Sequence, residues 1–421
     1  MNTADFFIPI RNLFSECSCL LYSRHTKAIF ILSVLFTVGI PGYSQLPEGQ
    51  LISENNMMEV PLFDTQKEIL VTAKLKGEAF TFLLDTGAPF FISHAIQDKY
   101  NFPVLFKANL SDASGKKDET IVVSVDSLAI GPFLFTNVWA VVINMANETH
   151  ECHAFVGNFG SNLLNFLTVQ FDLQKHKVFL TDNDRLLAHQ PAAFHPATLS
   201  AQRDFYFPIT LHDNIADTIH FDSGDGSLYE ISPRVLEKLM QKDRGSILKK
   251  GFGLTSMGSL GLPEHSDQYI IQANLRFANS TIPNGIAHNT YAEKSRLGRS
   301  VFHYGRMTLD YRNQRYAFEN YEKPMLPETS DFGFTVITNS NRVLTGTVWE
   351  GSEAARKGMY SGCEIVQMNE IKFSDLTGCE VEKAIGPLKN ENTINLVYRQ
   401  KDGKIKKIKV RKVTYSGLSK H

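Results

Sequence analysis

Two carboxylates stand at the ends of apolar strand patterns, each followed by a hydroxyl residue and a glycine. Asp85 closes the run Phe80, Phe82, Leu84 and leads into Thr86-Gly87; Asp222 closes Ile219 and Phe221 and leads into Ser223-Gly224. An ionised acid at the edge of a hydrophobic strand is costly unless something compensates it. Singly, each stretch also reads as a plain strand-to-turn junction, because Asp and Gly favour turns. Brought to contact, the two acids would share one proton, since both cannot ionise easily. The ionised member could then act as general base on a water while the protonated member polarises a carbonyl. That chemistry requires no metal, cofactor or covalent intermediate.

The chain supplies a reason to pair them. "GSNLLNFLTVQFDLQKHKVFL" (160–180) lies without gaps over "GRSVFHYGRMTLDYRNQRYAF" (298–318), matching Gly160 to Gly298 and Asp172 to Asp310. Gly160 follows Asp85 by 75 positions and Gly298 follows Asp222 by 76. Each acid is also preceded by a hairpin pattern, turning at Lys76-Gly77 in one copy and near Asp213-Asn214 in the other. Two motifs with the same downstream landmark at nearly equal distance imply an internal duplication. Period-2 alternation in stretches such as "ETIVVSVDSLAI" and "FLFTNVWAVVIN" makes each copy a run of short strands. The copies occupy 45–191 and 192–324.

On these residues the chain resembles the retropepsin-like aspartic protease family, whose lobes each give one Asp-Thr/Ser-Gly and a later hydrophobic-hydrophobic-Gly. The similarity spans roughly residues 60 to 320 and follows the fused, pepsin-like plan. It implies a mainly β fold of two lobes about a pseudo-twofold axis, with Asp85 and Asp222 as the catalytic pair. Thr86 and Ser223 would hydrogen-bond across the lobe interface, and Gly87 and Gly224 would allow close approach of the loops. A polypeptide substrate would lie extended between the lobes. A covering hairpin is expected at "SDASGKK" (111–117) or "GFGLTSMGSLG" (251–261). The sequence departs from the pattern twice. Asn158-Phe159 and Arg296-Leu297 precede the two glycines, and Asp225 stands where the family has Ala, Ser or Thr. A third acid there either raises the pair's pKa values, needs a cation, or points away.

After "YEKPMLPETS" the character changes, and 325–415 resembles a bacterial PDZ domain, a small α+β fold, on "VWEGSEAARKGM" and "SGCEIVQMNE". The resemblance implies capture of peptide C-termini by the loop Phe332-Gly333-Phe334, with Gly333 cupping the carboxylate and the two Phe side chains lining the pocket. The plainer reading is a small β-rich domain that grips no ligand.

At the N-terminus, Arg24 and Lys27 precede an apolar stretch from Ala28 to Ile40, then Pro41, Gly42 and Ser44. This is the layout of a secretory signal, so 1–44 reads as a leader and the protein as exported, periplasmic or extracellular. Membrane attachment follows only if the leader is retained. A net charge of -1 gives no electrostatic basis for nucleic-acid binding. Cys152, Cys363 and Cys379 remain after the leader; Cys363 could pair with Cys379, though nothing requires it. "HECH" (150–153) lacks metal-site spacing, and "FDSGDGSLYE" fails the calcium-loop pattern. One chain supplying both acids implies a monomer.

Overall fold

The computed structural model describes residues 46–62, 68–111, 117–144, 155–254, 265–326, 329–339, 342–376 and 378–415. The leader, "HECH" and most of both candidate covering-loop tips lie outside them.

The strand patterns fold as read. Leu70–Leu75 alternates exposed and buried along its length, as does the first half of Ile215–Asp222. Alternation stops near each acid: Phe82, Leu83 and Leu84, and then Ile219 to Asp222, are buried on both faces. There the strands leave the lobe surface and run into the interior. The hairpin before Asp85 turns at Lys76 and Gly77, both at positive φ, with Leu75 opposite Glu78. Its counterpart pairs Leu211 with Ile215 around a three-residue loop.

The duplication holds at the level of topology. In the first lobe, Leu70–Leu75, Glu78–Leu84, Gly157–Phe159, Phe91–Ser93, Phe133–Ile143 and Lys117–Ile130 form a closed ring, and Val104–Ser111 hangs from the last. In the second, Phe205–Leu211, Ile215–Asp222, Arg296–Gly298, Tyr229–Ile231, Ser280–Asn289 and Ser266–Phe277 close in the same order, and Ile247–Gly253 hangs from the last. Each ring carries a helix after its strand Phe91–Ser93 or Tyr229–Ile231. His94–Tyr100 begins at Ser93, whose hydroxyl accepts from Ile96 N, and stops at Asn101 in the left-handed region. Pro233–Lys242 begins at a proline that needs no hydrogen-bond partner there and buries Val235 and Leu239.

A six-stranded sheet joins the lobes. At its centre Thr168–Asp172 pairs antiparallel with Gly305–Asp310, placing Val169 opposite Leu309 and Phe171 opposite Met307. Asp172 and Asp310 cap equivalent turns, accepting from Lys175 N and Asn313 N, both at 3.2 Å. Above this sheet Phe171 stacks on Phe302 at 4.5 Å and approaches Phe221 at 6.1 Å. The core is therefore continuous between the lobes, and each fully buried Phe contributes about 1.5–3 kcal/mol of burial to holding them together.

The segment after residue 325 has its own core of Phe334, Val343, Ile365, Leu396, Tyr398 and their neighbours. Its sheet is continuous with the second lobe: Arg342–Trp349 pairs with Ile247–Gly253, matching Trp349 to Gly251 and Val348 to Phe252. Glu350 N donates to Lys250 O, and the Thr335 hydroxyl donates to Leu254 O. Gly251 has no room for a Cβ, which would sit 2.7 Å from the Trp349 ring. Cys363 is a buried free thiol, so the pairing with Cys379 does not occur.

Candidate active site

The strand ends deliver Asp85 and Asp222 to the lobe interface, where they are 2% and 1% exposed. Their side chains lie within hydrogen-bonding reach of each other. A Cβ built on Gly87 would fall 2.3 Å from the Asp222 carboxyl carbon, and one on Gly224 would fall 2.7 Å from an Asp85 oxygen. Each glycine therefore makes room for the opposite acid. Neither is at positive φ, so the requirement is space and not backbone strain.

Four hydrogen bonds lock the two loops together. Thr86 N donates to Ser223 Oγ at 3.1 Å, and Ser223 N donates to Thr86 Oγ1 at 2.9 Å. The Thr86 hydroxyl donates to Phe221 O and the Ser223 hydroxyl to Leu84 O, both at 3.1 Å. Each hydroxyl thus satisfies a buried N–H and a buried carbonyl of the other lobe. Within each loop, Gly87 N donates to Asp85 Oδ1 at 2.8 Å and Gly224 N to Asp222 Oδ1 at 2.9 Å. Asp225 N adds a further bond to Asp222 Oδ1 at 3.1 Å.

The positions two before the downstream glycines complete the site. Parallel pairing of Leu84 with Phe159 and of Asp222 with Gly298 sets Asn158 beside Asp85 and Arg296 beside Asp222. Asn158 Nδ2 donates to Asp85 Oδ2 at 3.0 Å; Arg296 Nη1 reaches Asp222 Oδ2 at 3.5 Å. Gly160 and Gly298 are needed for this approach, because a Cβ on either would sit within 2.4 Å of the neighbouring loop backbone. Asn158 and Arg296 were legible only as misfits to a hydrophobic pair. That misfit is the signal, since a polar side chain in a buried strand needs a polar partner.

Burial raises the pKa of both acids, and for Asp222 the negative charges of Asp85 and Asp225 raise it further. Asn158 and the Gly87 amide oppose the rise at Asp85, and Arg296 opposes it at Asp222. Asp225 does not point away. Its carboxylate is 2% exposed and accepts from Ser227 N at 2.8 Å and Ser227 Oγ at 2.9 Å. The cation that a third acid calls for is Arg296, itself 1% exposed. Two buried carboxyls in reach of each other, with rigid amide donors behind them, could share one proton, activate a water and protonate a leaving group.

Cavities of about 390 and 630 Å³ lie elsewhere, at Asp182–Arg185 beside Arg312 and at Pro208–Thr210 beside Arg276. Among the described residues no cluster of three or more His, Cys, Asp or Glu side chains is arranged to hold a metal ion.

In the last segment Gly333 is at φ +87°, as a cupped loop requires, but its N–H donates to Asp331 Oδ1 at 2.6 Å. The Asp331 carboxylate also accepts from Trp349 Nε1 and Tyr415 Oη at 2.6 and 2.9 Å. Phe334 is buried in the segment's core, and Phe332 packs half-buried against it. The loop's expected donor is therefore held by the protein's own acid, a residue the sequence reading did not single out.

Comparison with known proteins finds likenesses of two kinds. Residues 71–162, covering Asp85 to Asn162, match the family model described as aspartyl protease. That match lies within the first lobe and supports a protease hydrolase in general terms. The chain is also similar to a solved structure, a retropepsin-like aspartic protease from Rickettsia conorii. The likeness is at 16% identity and covers 31% of this chain and 94% of that one, with a TM-score of 0.23. No curated protein matches the chain.

Proposed function

We propose that the protein is an aspartic endopeptidase that hydrolyses peptide bonds by water activated between Asp85 and Asp222. One observation carries this reading: two acids from duplicated lobes face each other, each loop's glycine making space for the other's carboxyl. Thr86, Ser223, Gly87 and Gly224 fix the loops, and Asn158 and Arg296 flank the pair. The substrate is a polypeptide held extended between the lobes by backbone hydrogen bonds. The protein acts after export as a monomer, with 1–44 as its leader, in a periplasmic or extracellular setting. The cover of the cleft is proposed at 111–117 or 251–261, where the strand pairs Val104–Ser111 with Lys117–Ile130 and Ile247–Gly253 with Ser266–Phe277 occupy equivalent positions in the two lobes.

The segment 325–415 is proposed to hold polypeptide partners in the manner of a PDZ domain. Capture of a C-terminus at Gly333 requires Asp331 to give up its bond to that amide. Peptides with free and amidated C-termini then bind differently; equal binding removes carboxylate capture from the reading.

A second reading, a peptide-binding protein with a silent dyad, draws on Asp225, the extra acid against Asp222. Peptide digestion across acid to neutral pH separates the two. Asp85→Asn and Asp222→Asn each lower kcat/KM by at least about a hundredfold if the pair is the acid–base catalyst. Equal cleavage by all three proteins refutes the endopeptidase, and tight binding without cleavage by any of them establishes the second reading.

A further inference from the structure

The two acids have equivalent neighbours in position but not in charge. Asn158 offers Asp85 a neutral amide, whereas the matching position offers Asp222 a guanidinium. Arg296 is bound from both sides of its strand. It lies opposite His220 in one pairing and opposite Glu230 in the other, and Nε and Nη2 reach Glu230 Oε2 at 3.0 and 2.8 Å. Glu230 is 0% exposed, and its carboxyl lies against Asp225 as well. Four acids (Asp85, Asp222, Asp225 and Glu230) are thus buried together.

We propose that Arg296, anchored by Glu230, is the positioning residue that lets the Asp85–Asp222 pair keep a single proton inside this acidic cluster, and so sets the acid limb of the pH–rate profile. The inference rests on the endopeptidase reading for its kinetic form but not for its physical content.

Arg296 is the guanidinium in contact with both Asp222 and Glu230. Burial raises the Glu230 pKa well above the ordinary carboxylate range, Arg296 opposes that rise, and Glu230 Oε2 accepts from Arg296 Nε. Around the pair stand the carboxyl of Asp225 and the guanidinium groups of Arg296 and Arg299. Arg299 lies under the Asp222 loop and donates to the carbonyl oxygens of Ser223 and Gly224. Lys294 and Asp204 are further charged groups facing the cluster; Asp204, pushed up to about 7 by burial, acts on Asp85 through space. His220 is driven down to about 3 by burial and then by Arg296, and burial also lowers His288. Tyr206, stacked on His220, is raised by burial, and Lys294 sits over the Tyr206 ring. Without Arg296 the pair loses the opposite charge in contact with Asp222 and takes up a second proton at higher pH. A doubly protonated pair has no base.

The test is the pH dependence of kcat/KM for the full chain carrying Arg296→Met, Arg296→Lys or Asp225→Asn. An opposite charge at this range moves a carboxyl pKa by about 1–3 units. The acid limb of Arg296→Met is expected to move up by about that much, while Arg296→Lys restores it toward wild type. Asp225→Asn, nearly isosteric, removes a competing negative charge and moves the limb down. A merely structural arginine would lower activity at all pH values and leave the limb in place, which overturns the proposal. If Arg296→Met does not fold, an unmoved limb in Asp225→Asn overturns it equally. A wild type that cleaves nothing defeats the endopeptidase reading alone. The same shifts are then read from the carboxyl-carbon resonances of labelled aspartate, assigned with Asp85→Asn and Asp222→Asn, and unmoved resonances overturn the proposal.

Discussion

Replacing Thr86 by Val keeps the shape of the side chain and removes only the hydroxyl, which isolates the lock between the loops. The hydroxyl accepts from Ser223 N at 2.9 Å and donates to Phe221 O at 3.1 Å. Thr86 and Ser223 are 0% and 1% exposed, so water cannot replace either bond. Each orphaned buried group costs about 1–3 kcal/mol, giving about 2–6 kcal/mol for the substitution. That is a large part of the stability of about 5–15 kcal/mol of a typical folded protein. Thr86→Ser is the control: it keeps both hydrogen bonds and loses one methyl group, at about 1 kcal/mol. The difference is read from urea denaturation midpoints at constant slope. Ser223→Ala should match Thr86→Val, because it strands Thr86 N and Leu84 O in the same way. If Thr86→Val lies within about 0.5 kcal/mol of Thr86→Ser, the cross-loop bonds do not hold the lobes together.

Gly87→Ala drives a methyl into the Asp222 carboxyl, 2.3 Å away. It should lower peptide hydrolysis by at least about a hundredfold while costing only about 1–3 kcal/mol of stability; near-normal hydrolysis contradicts the facing-loop geometry. Asp204, bonded by the hydroxyls of Ser161 and Ser200, is pushed up to about 7 by burial. Its folded pKa exceeds its unfolded one, so the folded state binds the extra proton and stability falls as pH rises from about 4 to 7, by about 4 kcal/mol. Asp204→Asn should flatten that part of the melting-temperature profile, and an unchanged slope refutes the assignment. Trp349→Ala removes a side chain 1% exposed from the junction of the last segment with the second lobe, at about 3–5 kcal/mol. Amide exchange along Ile247–Gly253 should then quicken; unchanged exchange means the shared sheet does not brace that strand.

Much of the site was written along the chain. The two Asp-hydroxyl-Gly stretches, their equal distances to Gly160 and Gly298, and the hairpins before them needed only the periodicity of strands and the chemistry of turns. The expectations for Thr86, Ser223, Gly87 and Gly224 came from a family likeness, and the geometry places all four at the lobe interface. The partners of the acids were not visible, because hydrogen bonds such as Asn158 to Asp85 span 73 positions. Nor could the sequence tell that Asp225 turns inward to Ser227 beside a buried arginine, or that Asp331 occupies the Gly333 amide.

The sequence alone determined which residues carry oxygen and which carry no Cβ, and in duplicate, because those facts are local and repeat at a fixed interval. Only the tertiary structure decided how charge is distributed around them. Burial strips water from Asp85, Asp222, Asp225 and Glu230 together, and the pairings on both sides of Arg296–Gly298 set Arg296 among them. Charge interactions act through space and grow as water is excluded, so their balance belongs to the packed molecule and not to any stretch of its chain.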